Sequence, residues 1–223
     1  MTKDYAIIVA AGSGSRMKAA LPKQFLELNG KPILLHTLEK FHKFDPYLDI
    51  IVVLNSEYVQ FWNDLSRTIG VTVPHRAVAG GSERFHSVKN ALDLIDAEVG
   101  IVGVHDAVRP LVSLKTLEVC YNTARARSTA VPVVPVNDSI RVVEEGKSHA
   151  ADRNKFRIVQ TPQCFELSLL KSAYNVEFKP SFTDDASVVE SYGEHINLVE
   201  GNRENIKITT VEDLRMAEAL IYK

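Results

Sequence analysis

The chain reads as an α/β protein: a mostly parallel sheet with helices on both faces. Three observations carry that reading. Apolar β-rich runs alternate with helical periodicity along most of the sequence. Several of those runs, such as Ile50–Leu54, are apolar at every position, as a short buried strand is. With 223 residues and 45% hydrophobic side chains, the chain can bury one large core, or at most a domain with an appendage.

The elements follow in order. Tyr5-Ala6-Ile7-Ile8-Val9-Ala10-Ala11 is the first strand, broken by Gly12. Ile33 to Phe44 is amphipathic and starts behind Pro32, whose fixed φ suits a helix entrance. Ile50 to Leu54 is a strand, Glu57 to Ile69 a helix, Val71 to Val78 a strand and Glu83 to Ile95 a helix. Ile101 to Val104 is a strand ending at His105-Asp106, and Leu114 to Arg127 is helical. Thr129 to Val136 is β-prone but holds Pro132 and Pro135, which suits a strand running toward the sheet edge. Between Asn137 and Gln160 the pattern changes. Ile140–Val143 and Phe156–Val159 flank Glu144-Glu145-Gly146-Lys147, predicting a β-hairpin arm at about 137–160 that must dock on a partner subunit or on its own domain. Glu166 to Phe178 reads as helix, a Thr183-capped helix runs to Tyr192, Ile196 to Val199 is a strand, and Val211 to Tyr222 closes as a helix. The whole of 1–223 is expected to form a single domain bearing that arm.

Charge narrows the classes of function. A net charge of −2 argues against a nucleic-acid binder built on a basic face, so positive charge must be a local property of a site. The first apolar stretch is far too short for a membrane span and Asp4 sits beside Lys3, so no membrane role and a soluble, cytoplasmic protein are expected. Cys120 and Cys164 are too few for a disulfide framework or a zinc knuckle, and packing is their default role.

The local positive charge lies after the first strand. Gly12-Ser13-Gly14-Ser15-Arg16-Met17 and Pro22-Lys23-Gln24 follow a buried run, and a glycine-rich turn there leaves backbone N–H groups pointing outward to hold phosphate oxygens. Arg16 adds a planar fork and Lys23 a mobile point charge. This is not a P-loop, because Ser15-Arg16 stands where Lys and a hydroxyl residue belong, nor a dinucleotide fingerprint, because Met17 stands where a small residue belongs. The plain alternative is a solvated strand-to-loop turn.

Further segments have both a functional and an ordinary reading. Gly80-Gly81-Ser82-Glu83-Arg84-Phe85-His86-Ser87 opens a helix and lets a flat base approach closely; its ordinary reading is a helix start capped by Ser82. Asp106, at the end of an apolar strand in His105-Asp106-Ala107-Val108-Arg109-Pro110, suits Mg²⁺ that bridges phosphates; its ordinary reading is an ion pair with Arg109 that ties down a loop. Arg153, Gln160-Thr161-Pro162-Gln163, Thr183-Asp184-Asp185-Ala186-Ser187 and Asn205-Ile206-Lys207-Ile208-Thr209 read singly as turns, caps and a solvated lysine.

Taken in this order, Ala10 through Met17 with Pro22-Lys23-Gln24, Gly81 through Val88, His105 through Pro110, Gln160 through Gln163, Thr183 through Ser187 and Asn205 through Thr209 resemble the 2-C-methyl-D-erythritol 4-phosphate cytidylyltransferases of the non-mevalonate isoprenoid pathway. The resemblance spans nearly the whole chain. It implies a nucleotidyltransferase-type three-layer sandwich with a Rossmann-like, mostly parallel sheet. It also implies a homodimer whose β-arm reaches the other subunit's active site, and transfer of a cytidylyl group from CTP with Mg²⁺.

On that resemblance Arg16, Lys23 and Lys207 supply positive charge around the α-phosphate, and Ala10, Ala11, Gly12, Gly14, Gly81 and Ser87 line the nucleotide pocket. Asp106, Arg109, Ser139, Arg153, Thr161 and Thr183 surround the phosphorylated polyol, with Asp106 also bearing on the metal. The chain departs from the family pattern at Ser139, where threonine is usual, at Val108, where alanine is usual, and in the spacer Lys18-Ala19-Ala20-Leu21. Two rival readings are a D-ribitol 5-phosphate cytidylyltransferase, disfavoured by Ala10-Ala11-Gly12-Ser13 and Asp184-Asp185, and a non-catalytic nucleotide-binding module, disfavoured by the three cations.

Overall fold

The computed structural model describes residues 3–12 and 21–221. Strand β1 (Tyr5–Ala10) is followed by a 3-10 turn at Lys23–Phe25 and a small ribbon, β2 (Glu27–Leu28) and β3 (Lys31–Pro32). Asn29 and Gly30 turn that ribbon at positive φ. Next come α1 (Ile33–Phe44), β4 (Asp49–Leu54), α2 (Ser56–Thr68), β5 (Arg76–Ala79), α3 (Arg84–Leu92), β6 (Ile101–Asp106) and α4 (Leu114–Arg127). The second half holds β7 (Thr129–Pro135), β8 (Ile140–Glu144), β9 (Lys147–Ala151), β10 (Arg157–Val159), β11 (Gln163–Glu166), α5 (Leu167–Ala173), α6 (Asp185–Ser191), β12 (Leu198–Glu200) and α7 (Val211–Ile221).

β1 sits inside an eight-stranded sheet, parallel to β4 on one side and β6 on the other, with β5 parallel to β4 beyond. The carboxyl ends of all four strands therefore open on one edge of the sheet, where α/β folds place their ligands. Strand alternation assigns the core. Ala6, Ile8 and Ala10 face one side with Ile50, Val52 and Leu54, under α1, α2 and α4. Tyr5 and Ile7 face the other with Ile51, Val53, Val102 and Val104, under α3, α5 and α6. That makes three layers. A smaller cluster of Leu28, Ile33, Val108, Ile208 and Ala217 seats α7 against the β2–β3 ribbon.

Several expectations are corrected. β7 is not the sheet edge along its centre: Val133 pairs with Val159 on one side and Glu200 on the other, and β12 takes the outer place beside Pro132, while Pro135 pairs with Arg157 alone. The hairpin is formed by β8 and β9 turned at Glu145 and Gly146, and the apolar run around Ile158 instead joins the main sheet as β10. Alternation cannot choose between those partners, because both stretches are short and half polar. Residues 163–166 form β11, antiparallel to β6, so the expected helix from Glu166 shortens to α5. β5 starts at Arg76 because Pro74 lacks the N–H a ladder needs. α6 is capped by Asp184, not Thr183, in a box closed by Ser187.

Candidate active site

The four strand ends surround a cleft of about 570 Å³. Ala10, Ala11 and Gly12 form its floor at the end of β1, Gly81 and Ser87 one wall from the β5–α3 loop and the start of α3, and Asp106 with Ala107 the other at the end of β6; Lys23, Arg84 and Lys207 also line it. Lys23 is carried on the 3-10 turn, which is pinned because buried Gln24 donates Nε2–H to the Ala10 carbonyl at 2.7 Å and Phe25 packs among Tyr58, Phe61 and Trp62. Arg16 and Gly14 lie outside the described residues.

The glycine wall is held by contact rather than by a helix cap. Glu83 occupies the N-cap of α3 without a side-chain cap bond. Ser82, the expected cap, instead meets His86 Nδ1 at 3.0 Å. Ser87 Oγ accepts the Gly81 N–H at 3.1 Å and donates to the Glu83 carbonyl at 3.0 Å. A Cβ on Gly80 would stand 2.6 Å from Ser87 Oγ and 2.9 Å from the Ala11 side chain, so only glycine lets this loop close on the end of β1.

Asp106 is the electrostatic centre. Its Oδ2 receives Arg109 Nε at 2.9 Å and Lys207 Nζ at 3.1 Å. Burial opposes its charge, but Lys207, Arg84 and Arg109 outweigh that and hold the carboxyl well below the ordinary aspartate range. Behind it, Thr161 Oγ1 accepts the Asp106 N–H at 3.1 Å and lies 2.9 Å from His105 Nδ1. The Thr161 hydroxyl has one proton to give, and it fits His105 Nδ1. His105 Nε2 then carries its proton toward the Arg109 carbonyl at 3.1 Å. Burial lowers the His105 pKa to about 4, so this ring is neutral at pH 7.

Lys207 is placed by its own loop. Ile208 N–H donates to the Val108 carbonyl at 2.9 Å, Asn205 Nδ2 donates to the Thr161 carbonyl at 2.8 Å, and Asp213 accepts from Thr209 and Thr210. Arg109 completes the brace by donating to the Asn205 carbonyl at 2.9 Å.

The structure thus gathers Lys23, Lys207, Ala10, Ala11, Gly12, Gly81, Ser87 and Asp106 at one cleft. Arg109 and Thr161 stand directly behind Asp106 as its partners. Ser139, Arg153 and Thr183 are exposed and do not belong to that lining; Arg153 holds the Asn137 carbonyl at the base of the β8–β9 hairpin. Sequence reasoning passed over Gln24 and Asp185. Gln24 stands inside the Pro22-Lys23-Gln24 motif, whose lysine carries the sequence argument, and Asp185 stands in a segment that reads as a helix cap; long-range burial is what distinguishes both.

For a metal, the donor set is one carboxylate. Among the described residues no group of three or more His, Cys, Asp or Glu side chains gathers. Asp106, with both recorded cation contacts on Oδ2, fits a Mg²⁺ that arrives on phosphate oxygens and takes one protein ligand, and does not fit a standing all-protein site.

Ala11 and Gly12 at the end of a central parallel strand, two lysines at the cleft and an acid opposite fit a nucleotidyltransferase-type α/β protein. The family model described as IspD: 2-C-methyl-D-erythritol 4-phosphate cytidylyltransferase matches residues 5–223. A Bacteroides thetaiotaomicron protein of that name is 51% identical over 98% of this chain and 100% of its own length, and one from Bacteroides fragilis is 50% identical over 97% and 98%. The solved 4-diphosphocytidyl-2C-methyl-D-erythritol synthase of Anaerococcus prevotii superposes with TM-score 0.83 at 28% identity, covering 99% of both chains. The chain belongs to the 2-C-methyl-D-erythritol 4-phosphate cytidylyltransferase family.

Proposed function

We propose that this chain transfers the cytidylyl group of CTP to 2-C-methyl-D-erythritol 4-phosphate, releasing pyrophosphate. The observation that carries the reading is the full-length family match, joined to a cleft whose lining holds Lys23, Lys207 and Asp106. In this reaction an acceptor phosphate oxygen attacks the α-phosphorus of CTP, a new P–O bond forms and the bond to the departing pyrophosphate breaks. The nucleophile is already an anion, so a strong general base is unnecessary. What the protein supplies is alignment and fixed positive charge.

Lys23 and Lys207 suit that task. Gln24 and Phe25 immobilise the turn bearing Lys23, while Lys207 is braced by the Asn205–Asp213 segment, so little reorganisation is left for the reaction itself. The backbone N–H groups around Gly12 and Gly81 suit phosphate and base. Asp106 fits a phosphate-bound Mg²⁺ as one ligand, and the metal when bound neutralises charge on the triphosphate. His105, neutral and held between Thr161 and the Arg109 carbonyl, keeps Asp106 and Arg109 in register without taking a proton.

The reading includes a homodimer in which the β8–β9 arm serves the neighbouring cleft. Its support is the exposure of apolar Val143, Phe156 and Ile158 in and beside the arm, and the placing of Arg153 and Ser139 at the arm rather than in this chain's own cleft. It also includes a cytoplasmic setting, where CTP is made. Among the described residues no helix is long and apolar enough to cross a membrane.

The test is pyrophosphate release from CTP and Mg²⁺ with 2-C-methyl-D-erythritol 4-phosphate and D-ribitol 5-phosphate in parallel. Release with the first acceptor alone is expected. Release with ribitol 5-phosphate alone would move the enzyme to another acceptor, and CTP binding without release with either would leave a nucleotide-binding module.

A further inference from the structure

Arg84 and Asp185 form a buried ion pair that the reaction scheme leaves unused. Asp185 is fully buried and Arg84 lines the cleft with its side chain 28% exposed. The contact is a fork: Arg84 Nη1 meets Asp185 Oδ1 at 2.8 Å and Nη2 meets Oδ2 at 2.6 Å. Tyr174 Oη donates to Asp185 Oδ1 at 2.7 Å, and the Tyr174 ring stacks on Phe85 with centroids 4.7 Å apart. Burial works against the Arg84 charge, but Asp185 overrides it and raises the Arg84 pKa. Arg84 therefore stays charged, and Asp185 faces it in the fork.

Its place in the fold gives it a task. Arg84 and Phe85 are the first two residues of α3, whose N-cap makes no side-chain cap bond. This is the turn that sets Ser87 against Gly81 in the nucleotide wall. A helix start without a cap needs another anchor, and α3 receives it from α6 and the end of α5, which pack beside it on the same face of the sheet. In sequence Asp185 lies two residues from Thr183, on the segment the family resemblance assigns to the acceptor. In space its bonds run to the nucleotide side.

We propose that Asp185, with Tyr174, is a positioning residue for the nucleotide wall of the cleft: through Arg84 it fixes the first turn of α3, so its loss weakens recognition of the nucleoside rather than of the phosphates or the acceptor. The inference rests on the CTP-dependent function proposed above. Inorganic tripolyphosphate separates the two ends of the nucleotide, because it engages the phosphate cations without needing the Gly81–Ser87 wall.

The experiment measures binding of CTP, and separately of tripolyphosphate, to the full-length wild type, Asp185→Asn and Tyr174→Phe by calorimetry without acceptor, followed by KM and kcat for both substrates. In Asp185→Asn, CTP affinity should fall about tenfold while tripolyphosphate binds no more weakly than to wild type. The rise should appear in the KM for CTP, with the acceptor KM within about twofold of wild type. Tyr174→Phe keeps the ring stack and removes only the hydroxyl bond, so it should shift CTP affinity the same way by about twofold to threefold, and it carries the test if Asp185→Asn does not fold. Equal loss of CTP and tripolyphosphate, an acceptor KM that rises while CTP binding is unchanged, or equal tightening of both anions would each overturn the proposal. Failure of wild type to bind CTP would instead sink the functional reading on which it rests.

Discussion

At the scale of single residues, charge at Asp106 decides the character of the site. Three cations bear on one buried carboxylate, so the cleft keeps a fixed negative point between positive neighbours; Lys207 exerts the largest Coulombic pull, and Arg109 adds a hydrogen bond to its own. Lys207→Met should lower kcat by about a hundredfold or more while leaving the fold intact, as steady-state kinetics and circular dichroism together would check. His105 yields a stability prediction. Its pKa is lowered to about 4 in the folded protein, below its ordinary value of 6.5, so between these values the unfolded chain binds a proton that the folded chain refuses. Stability is therefore lost as pH falls from about 6.5 to 4, by an amount on the order of 3 kcal/mol from this group. Urea unfolding at pH 7, 5.5 and 4.5 should show that slope, and His105→Gln should flatten it. Asp106, held low, adds its own loss only below the ordinary aspartate range.

At the scale of elements, the cleft is built from starts and ends of helices and strands, and what fixes them is remote in sequence. Asp213 illustrates this. Its carboxylate accepts from the Thr209 N–H at 2.8 Å, the Thr209 hydroxyl at 2.7 Å and the Thr210 N–H at 2.9 Å, tying the Lys207 loop to the first turn of α7. Burial works against its charge, but these bonds prevail and lower its pKa. Asp213→Ala should destabilise the protein by about 1 kcal/mol in chemical denaturation and should also reduce kcat, because the brace on Lys207 loosens. Unchanged kcat would show that Asn205 and Ile208 hold the loop without it.

At the scale of the whole molecule, the β8–β9 arm stands apart from the sheet as its own two-stranded ribbon. In the proposed dimer, Arg153 serves the neighbouring cleft while Lys23 serves its own. Homodimers of Arg153→Ala and of Lys23→Ala should each be nearly inactive. After subunit exchange in an equal mixture, half the dimers are hybrids with one intact site of two, and roughly a quarter of wild-type activity should return. With both homodimers inactive, no recovery after verified exchange would mean that Arg153 acts within its own chain.

The sequence by itself determined the alternation of strands and helices, the glycines at strand ends and the family. Those are local or ordered features: apolar periodicity over Tyr5–Ala10 and Ile33–Phe44 needs no knowledge of distant neighbours. Only the tertiary structure decided that β10 and β11 join the main sheet while β9 closes the hairpin, that Val133 is flanked on both sides, and that Asp185 pairs with Arg84. The reason is physical. Short, half-polar strands pair according to the long-range register available to them, and a buried charge takes its partner from whatever side chain packing brings within hydrogen-bond reach, 101 residues away in the case of Arg84 and Asp185.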